Sequence, residues 1–314
     1  MRYHPPFLVK ILFKIYQGLI ILLTPLWLLF LWTRVVAKKE DVKRLSERFG
    51  YSKLLRPAGP LIWIHAASVG ESLSALPLIE VLLKKSSSLH ILITTNTRTS
   101  AELMKKRLPA RAFHQFIPFD QVFFVNRFLT HWNPQGVLWL ESELWPTFLK
   151  SLSRKNIPCI LINARLSNRS FVQWQRFRFI IRFLLNQFSL CLAQSTEMAI
   201  RLRALGARVV RMPGNLKFAS LPLPVNLEDL AHLKNIIGER PIWCAASTHL
   251  GEEILIGEVH KKLKSLFPNL LTLLVPRHPE RGLTIHEELM DLDIKSQRRS
   301  LKKELTSKNR YLSL

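Results

Sequence analysis

The feature that most constrains this fold is the stretch at residues 61–72, where an apolar run is followed by a polar turn and a helical pattern. The run at 61–66 is short, continuous and bounded by glycine and proline, which is typical of a buried strand. Apolar residues then recur at helical spacing, so we expect a helix that begins near Glu71. Ligands bind at the carboxyl ends of strands in open α/β sheets. Glu71 is therefore a candidate functional carboxylate, although a residue in this place can also serve only to cap its helix.

The same alternation of apolar runs and helical patterns continues along most of the chain. Continuous apolar strands separated by helices predict a mostly parallel, doubly wound α/β sheet. The predicted strands of the first domain are 61–66, 90–95, 112–118, 136–140, 159–164, 190–194 and 208–212. The predicted helices between them include 100–107, 122–130, 146–155 and 171–187.

A second, smaller domain is predicted after residues 221–224, where a Leu-Pro-Leu-Pro segment reads as a linker. Two strands are predicted beyond it, at 242–246 and 270–275, with helices after each. Two strands are too few to bury both faces of a sheet, so we expect this domain to be incomplete.

The amino-terminal region carries an almost unbroken apolar run at residues 18–33, with Pro25 in its middle. A helix that spans a bilayer needs roughly 17–25 apolar residues. Basic residues crowd the carboxyl side of the run, and the positive-inside rule then leaves the rest of the chain on the cytoplasmic side. We interpret residues 1–36 as a membrane anchor, either spanning or interfacial. A cleaved signal peptide is less favoured, because Lys38 and Lys39 follow at once.

The charge of the chain points to an anionic partner. Its 46 Lys and Arg residues against 22 Asp and Glu give a net charge of +24. Nucleic acid, an anionic membrane and a phosphorylated substrate all fit this excess. The apolar amino-terminal run favours lipid over nucleic acid. The three cysteines, Cys159, Cys191 and Cys244, lie in apolar runs and are predicted to be buried in a reducing compartment.

Further polar residues follow the predicted strands of the first domain. Glu141 and Glu143 come directly after the fourth strand, and Arg165 follows the fifth. In extended chain, residues two apart point to the same side, so we expect the two carboxylates to face one crevice with Glu71. Lys217 closes the first domain. The alternative for each of these residues is a helix cap or a structural ion pair.

The second domain offers a candidate anion site. Ser247, Thr248 and His249 form a polar turn between a strand and a helix, and Arg277 and His278 follow the next strand. Exposed helix amides, hydroxyls and an Arg side chain suit a phosphate group. The alternative is a capped helix beside a salt bridge.

Six motifs, in this order, resemble those of the bacterial Kdo transferase family, which transfers 3-deoxy-D-manno-octulosonate (Kdo). They occupy residues 65–71, 141–146, 163–167, 214–218, 246–253 and 275–281. The resemblance implies a GT-B glycosyltransferase with two Rossmann-like domains at the inner membrane, on its cytoplasmic face. It implies transfer of Kdo from CMP-Kdo to a lipid A precursor, lipid IVA, during synthesis of the lipopolysaccharide core. CMP is released and no cofactor or metal is used.

The same resemblance assigns domains and residues. It implies an anchor at 1–36, an acceptor-binding domain at 37–220 and a partial nucleotide-sugar-binding domain at 221–314. Family members continue past residue 314 with a glycine-rich segment and an H-N-x-x-E-P motif. The alternative is therefore a truncated, non-catalytic or differently specific GT-B protein associated with the membrane.

The roles carried over by the resemblance fall into two groups. Glu71 matches the general base, and Glu141 and Lys217 match residues that stabilise the transition state. The residues matched to substrate binding are Arg277, His278, Ser68, Arg165, Ser247, Thr248 and His249. The implied partners are CMP-Kdo, a lipid A precursor and an inner membrane with anionic lipids, without nucleic acid.

Overall fold

The computed structural model describes residues 6–141, 143–219, 225–299 and 311–313, the last three by their backbone only. Contacts between residues divide the chain into two compact units, Met1–Leu221 and Pro222–Leu314. The linker predicted at residues 221–224 lies outside the described residues.

The first unit is built on a parallel sheet. Its strands are β1 (Leu61–His65), β2 (His90–Thr95), β3 (Ala112–Phe116), β4 (Gly136–Leu140), β5 (Cys159–Ala164), β6 (Leu190–Ala193) and β7 (Val210–Arg211). They pair in the order β3-β2-β1-β4-β5-β6-β7, and every pair is parallel. The order reverses between β1 and β4, which creates a crevice at their carboxyl ends. The predicted doubly wound sheet is confirmed.

Helices precede and connect these strands. They are α1 (Phe7–Leu22), α2 (Thr24–Val36), α3 (Val69–Lys85), α4 (Arg98–Arg107), α5 (Val122–Trp132), α6 (Pro146–Arg154), α7 (Asn168–Arg176), α8 (Arg178–Leu185) and α9 (Thr196–Ala204). The single helix predicted at residues 171–187 is wrong. Phe177, at φ −112° and ψ 40°, leaves the helical conformation and separates α7 from α8. Two 3-10 helices, Val42–Phe49 and Leu216–Ala219, complete the unit.

The core of the first unit lies on both faces of the sheet. Trp63 and Ile64 are neighbours in β1 and are both fully buried. Successive residues of a strand point to opposite faces, so each side chain packs into a different half of the core. The Trp63 ring lies 4.9 Å from the Phe128 ring and 5.6 Å from the Trp139 ring. Burial on both faces explains why the parallel strands read as continuous apolar runs.

The amino-terminal run, interpreted above as a membrane anchor, forms a bent pair of helices. Pro25 lies in the first turn of α2, where it lacks the N–H that would continue α1. No single helix of the described chain is long and apolar enough to cross a bilayer, whereas α1 and α2, which meet at 53°, pass that test together. α1 also packs on the first unit, since Val9 and Phe13 are buried and the Tyr16 hydroxyl donates to Asp120 at 2.9 Å.

The second unit is a smaller α/β layer. Its elements are α10 (Leu227–Ile237), β8 (Ile242–Thr248), α11 (Glu252–Leu266), β9 (Leu271–Pro276), α12 (Gly282–Asp291), β10 (Gln297–Arg298) and β11 (Tyr311–Ser313). The sheet is parallel in the order β10-β11-β9-β8. The prediction of two strands therefore missed β10 and β11, which are brief and lie in a polar tail.

The burial of the cysteines agrees only in part with the prediction. β8 is an edge strand with mostly exposed side chains, so the prediction of a buried Cys244 is wrong, whereas Cys159 and Cys191 are buried.

Candidate active site

The turn from β1 to α3 fixes Glu71 through a reciprocal cap. Ser68 is the N-cap of α3, and its hydroxyl oxygen accepts a hydrogen bond from the Glu71 N–H at 3.3 Å. The Glu71 carboxylate accepts from the Ser68 hydroxyl at 2.9 Å and from the Ala67 N–H at 2.8 Å. This is a variant of the capping box in which the Ala67 N–H takes the place of the N-cap N–H, and it holds the carboxylate in one orientation in the first turn of the helix. Glu71 is only 7% exposed.

The surroundings of Glu71 raise its pKa above the usual range for a glutamate. Burial is the largest cause, and the negative charge of Glu141 adds to it. The hydrogen bonds from Ala67 and Ser68, and the proximity of His65, act in the opposite direction but do not outweigh burial. A carboxylate with a raised pKa is a stronger proton acceptor than an ordinary glutamate. The cap and the raised pKa are compatible, so Glu71 can both cap the start of its helix and act as a base.

A second carboxylate, Glu141, pairs with a lysine from the end of the unit. Glu141 follows β4 in a left-handed conformation, at φ 56°. Its carboxylate oxygen lies 3.1 Å from the Lys217 ammonium. Lys217 lies in a 3-10 helix that is tied to β5, because the Leu216 N–H donates to the Asn163 side-chain oxygen at 3.1 Å. The fold therefore brings Glu71, Glu141 and Lys217 to the crevice at the reversal of strand order.

Glu143, the second carboxylate after β4, has a different set of partners from Glu141. Its oxygen accepts from Asn96 at 3.2 Å and from the Trp145 ring nitrogen at 3.0 Å, and lies 3.5 Å from His65 Nε2. Burial opposes ionisation of Glu143, but these donors outweigh it and hold its pKa below the usual range. Glu143 is therefore an anchored structural anion.

The partner of Glu143, His65, is a residue that sequence reasoning did not single out. It is fully buried, and its Nδ1 lies 3.0 Å from the Thr94 hydroxyl. That hydroxyl also accepts from the Trp63 ring nitrogen at 2.8 Å. Both ring nitrogens of His65 thus have a polar neighbour, Thr94 at Nδ1 and Glu143 at Nε2. The signal in the sequence was a polar residue at the end of an otherwise apolar strand.

The remaining predicted residue of the first unit, Arg165, follows β5 at the same edge and is exposed. In the second unit, the turns after β8 and β9 lie side by side. The Arg277 N–H donates to the Thr248 carbonyl at 2.9 Å, and the rings of His249 and His278 are 6.4 Å apart. Ser247 has φ 61°, the left-handed conformation that few side chains adopt. Ser247, His249, Arg277 and His278 are exposed and Thr248 is buried.

A buried ion pair beside these turns also escaped the sequence reasoning. Arg281 donates to both oxygens of the buried Glu253, at 2.9 and 3.2 Å, and the Glu252 carboxylate accepts from the His249 N–H at 2.8 Å. The salt bridge considered as an alternative is thus present between Arg281 and Glu253, and the His278 ring lies 3.4 Å from the Glu280 carboxylate, whereas α11 has no side-chain cap. Across the described ranges, no group of three or more His, Cys, Asp or Glu side chains is placed to hold a metal ion.

Comparison with known proteins decides the family. The profile described as "3-Deoxy-D-manno-octulosonic-acid transferase (kdotransferase)" matches residues 43–220, more than half of the chain. A 3-deoxy-D-manno-octulosonic acid transferase of Rickettsia bellii is 34% identical over 287 residues, which are 91% of this chain and 68% of the relative. The chain belongs to the Kdo transferase family. The resemblance seen in the six motifs is confirmed, as is the glycosyltransferase class.

Other Kdo transferases and solved structures agree with this assignment. The 3-deoxy-D-manno-octulosonic acid transferase of Haemophilus influenzae is 37% identical over 270 residues, 85% of this chain and 63% of the relative. The chain thus spans about two-thirds of the length of these Kdo transferases. The UDP-GlcNAc 2-epimerase of Neisseria meningitidis bound to UDP-GlcNAc superposes with a TM-score of 0.54 at 12% identity, over 81% of this chain and 71% of that one. This likeness concerns the fold alone, and it supports the predicted GT-B class.

Proposed function

We propose that this chain transfers Kdo from CMP-Kdo to a hydroxyl group of a lipid A precursor, lipid IVA, with Glu71 as the general base. The acceptor oxygen attacks the anomeric carbon of Kdo, its proton passes to Glu71, and the bond from that carbon to the CMP phosphate breaks. The observation that carries this proposal is the buried carboxylate of Glu71, with its raised pKa, at the crevice of the first sheet. A base with a raised pKa suits removal of a hydroxyl proton near neutral pH.

Glu141 and Lys217 support this step by electrostatics. The Lys217 ammonium, half exposed and 3.1 Å from Glu141, is a fixed positive charge for the negative charge that develops during transfer. Glu141 holds the ammonium in place and helps to keep the pKa of Glu71 raised. Ser68 orients the base, and Arg165 at the same edge is assigned to substrate binding.

The second unit is assigned to the nucleotide. We place the CMP phosphate at the turns after β8 and β9, where Arg277 and His278 are exposed next to Ser247, Thr248 and His249. An arginine and a histidine can stabilise a leaving phosphate by charge-assisted hydrogen bonds. The proposal assigns no cofactor to this step. Transfer should therefore persist in the presence of EDTA.

The test of this function is the Glu71→Gln variant, supplied with CMP-Kdo and lipid IVA. Glutamine keeps the shape of the side chain and one acceptor oxygen but removes the base, so turnover should fall by roughly 10²–10⁴-fold. CMP release and glycolipid formation are measured together. The matched control is Glu102→Gln, which should leave the rate unchanged. Glu102 is an exposed glutamate on α4 that pairs with Arg98.

Three outcomes would contradict the proposal. A Glu71→Gln rate close to that of the wild type would remove Glu71 as the base. Failure of the wild-type chain to use CMP-Kdo, with transfer from another nucleotide sugar, would assign a different donor. Binding of the acceptor without turnover would favour a non-catalytic GT-B protein.

We also propose that the chain lies on the cytoplasmic face of the inner membrane and is held there by α1 and α2. Both helices carry large apolar side chains that are exposed, namely Leu19, Leu22, Leu26, Leu29, Phe30 and Trp32. Basic residues follow α2 at Lys38 and Lys39. An apolar helical surface flanked by lysines suits insertion at the interface of an anionic bilayer.

The membrane proposal is tested on the exposed apolar surface, because deletion of α1 would also remove the buried Val9 and Phe13. The triple variant Leu22→Ser, Leu26→Ser, Leu29→Ser should move from the membrane pellet to the supernatant in high salt. The control replaces three exposed apolar residues elsewhere, Leu55, Val81 and Ile200, by serine. If both variants sediment like the wild type, the helices do not attach the chain to the membrane.

We propose no nucleic-acid partner for this chain. Steeply salt-dependent binding to DNA or RNA would contradict this part of the proposal.

A further inference from the structure

A large cavity lies at the edge of the first sheet that is opposite to the candidate active site. Its volume is about 960 Å³, and residues just before β5, β6 and β7 form its floor, namely Pro158, Ser189 and Val209. Glu71 and Glu141 lie beyond the other ends of the strands. β5 and β6, which are six and four residues long, separate the two edges by roughly 13–20 Å. The cavity is therefore not part of the crevice assigned to transfer.

The charged side chains that line this cavity are all cationic. They are Lys10, Lys14, Lys150, Arg154 and Arg208. Among the described residues that line it, none is Asp or Glu. Burial lowers the pKa of Lys150, and the like charges of Arg154 and Lys10 lower it further. The cavity thus concentrates positive charge that an anion would neutralise.

The dipole of α6 explains only part of the positive charge in the cavity. Arg154 lies in the last turn of α6, where a cation interacts favourably with the helix dipole, whereas Lys150 lies in the middle of that helix. The other three cations come from α1 and from the segment before β7, so they do not interact with the carboxyl end of α6. Convergence of cations from three separate elements is a property of the cavity.

The same cavity has apolar walls that continue onto the protein surface. Phe13, Phe183 and Phe188 line it beside the cations. On α1, Phe7 and Ile11 are exposed, and each lies three residues before a cavity lysine. Residues three apart are neighbours on a helix surface, so an exposed apolar strip borders the basic lining. Positive charge inside the cavity and an apolar strip at its rim together suit an anionic amphiphile.

We propose that this cavity binds the phosphate headgroup of an anionic phospholipid, with the acyl chains lying along the exposed apolar side of α1. The site is separate from the acceptor site, and its occupancy does not depend on Kdo transfer. The anion could also come from solution as free phosphate, and the arms of the experiment separate these two sources.

The probe is dihexanoyl-phosphatidylglycerol, titrated below its micelle concentration into the full chain by isothermal calorimetry. The pocket variant is Lys150→Gln with Arg154→Gln, which removes two lining charges and should weaken binding about 10–30-fold. The matched control, Lys105→Gln with Lys106→Gln, removes the same charge from the last turn of α4, away from the cavity. The control should bind within about twofold of the wild type.

A second variant keeps the test decisive if the first one fails to fold. Lys10→Gln with Lys14→Gln changes two exposed lysines of α1 and should also weaken binding about 10–30-fold. Melting temperature is recorded for each variant.

Two comparison ligands complete the design, namely dihexanoyl-phosphatidylcholine and inorganic phosphate, and each should bind at least tenfold more weakly. Equal affinity of the pocket and control variants would overturn the proposal, and so would tight binding of inorganic phosphate alone. The assay uses a monomeric lipid without vesicles or CMP-Kdo. Failure of membrane attachment or of transfer is therefore distinguishable from failure of this site.

Discussion

The ammonium nitrogen of Lys217 lies 3.1 Å from a carboxylate oxygen of Glu141, and this contact joins the end of the first unit to the end of β4. The Lys217 side chain is 46% exposed and that of Glu141 is 21% exposed. Ion pairs with this much exposure contribute little to stability, because water screens them and both side chains lose conformational freedom. A contact that contributes little to stability at the mouth of a crevice is better explained by chemistry than by folding.

The Lys217→Met variant follows from this contact. We expect the free energy of unfolding to change by less than about 1 kcal/mol, while turnover falls by roughly 10²-fold, the scale for loss of one preorganised electrostatic donor. Urea denaturation and initial rates on the same preparation measure both quantities. Lys106→Met on α4 is the control and should change neither. A rate loss that merely follows a large loss of stability would point to a structural role.

The Ser68→Ala variant tests how the cap tunes the base. Loss of the N-cap hydroxyl should cost about 0.5–2 kcal/mol of stability. The Ser68 hydrogen bond favours ionised Glu71 and so lowers its pKa, and its removal should raise that pKa further. The acid limb of the pH–rate profile should then move to higher pH. Ser195→Ala removes the equivalent cap of α9 and should cost similar stability without moving the limb.

The Glu71→Gln variant also makes a prediction about stability. Because the folded-state pKa of Glu71 is raised, the folded state binds more protons than the unfolded state just above the usual glutamate pKa. Wild-type stability should therefore fall as the pH rises through that window, and Glu71→Gln should abolish this fall. At neutral pH the variant should be at least as stable as the wild type. Glu71→Ala, which loses the capping box as well, should lose about 0.5–2 kcal/mol. Thermal melts between pH 4 and 8 measure these stabilities. An equal loss of stability in Glu71→Gln and Glu71→Ala would indicate that Glu71 acts in capping alone.

The Tyr16→Phe variant tests how α1 is held on the first unit. The Tyr16 hydroxyl donates to Asp120, whose carboxylate also accepts the N–H groups of Thr147 and Phe148 at the start of α6. Burial raises the pKa of Asp120 to about 6, so its carboxylate is largely ionised at neutral pH. Loss of a hydrogen bond to a charged group should cost about 1.5–3 kcal/mol. Tyr51→Phe keeps the ring that faces Arg127 and should change stability by less than about 0.5 kcal/mol. An unchanged urea midpoint for Tyr16→Phe would show that this contact does not hold α1.

The amino-acid sequence by itself determined the elements and the place of the main carboxylate. The bounds of β2, β4 and β5 agree with their predicted ranges. Strands that are buried on both faces are nearly continuous apolar runs, and that local pattern is readable without any partner. Glu71 was predictable in the first turn of α3 for the same reason, because a strand, a turn and an amphipathic helix are each defined within a few residues.

Only the tertiary structure decided which side chains meet. Strand order places β1 beside β4, and that pairing puts the charge of Glu141 close enough to raise the pKa of Glu71. The contact of Lys217 with Glu141, the contact of His65 with Glu143 and the docking of Tyr16 on Asp120 are equally non-local. Local periodicity carries no information on such contacts, because hydrophobic patterning specifies which face of an element is buried and leaves open which element covers it.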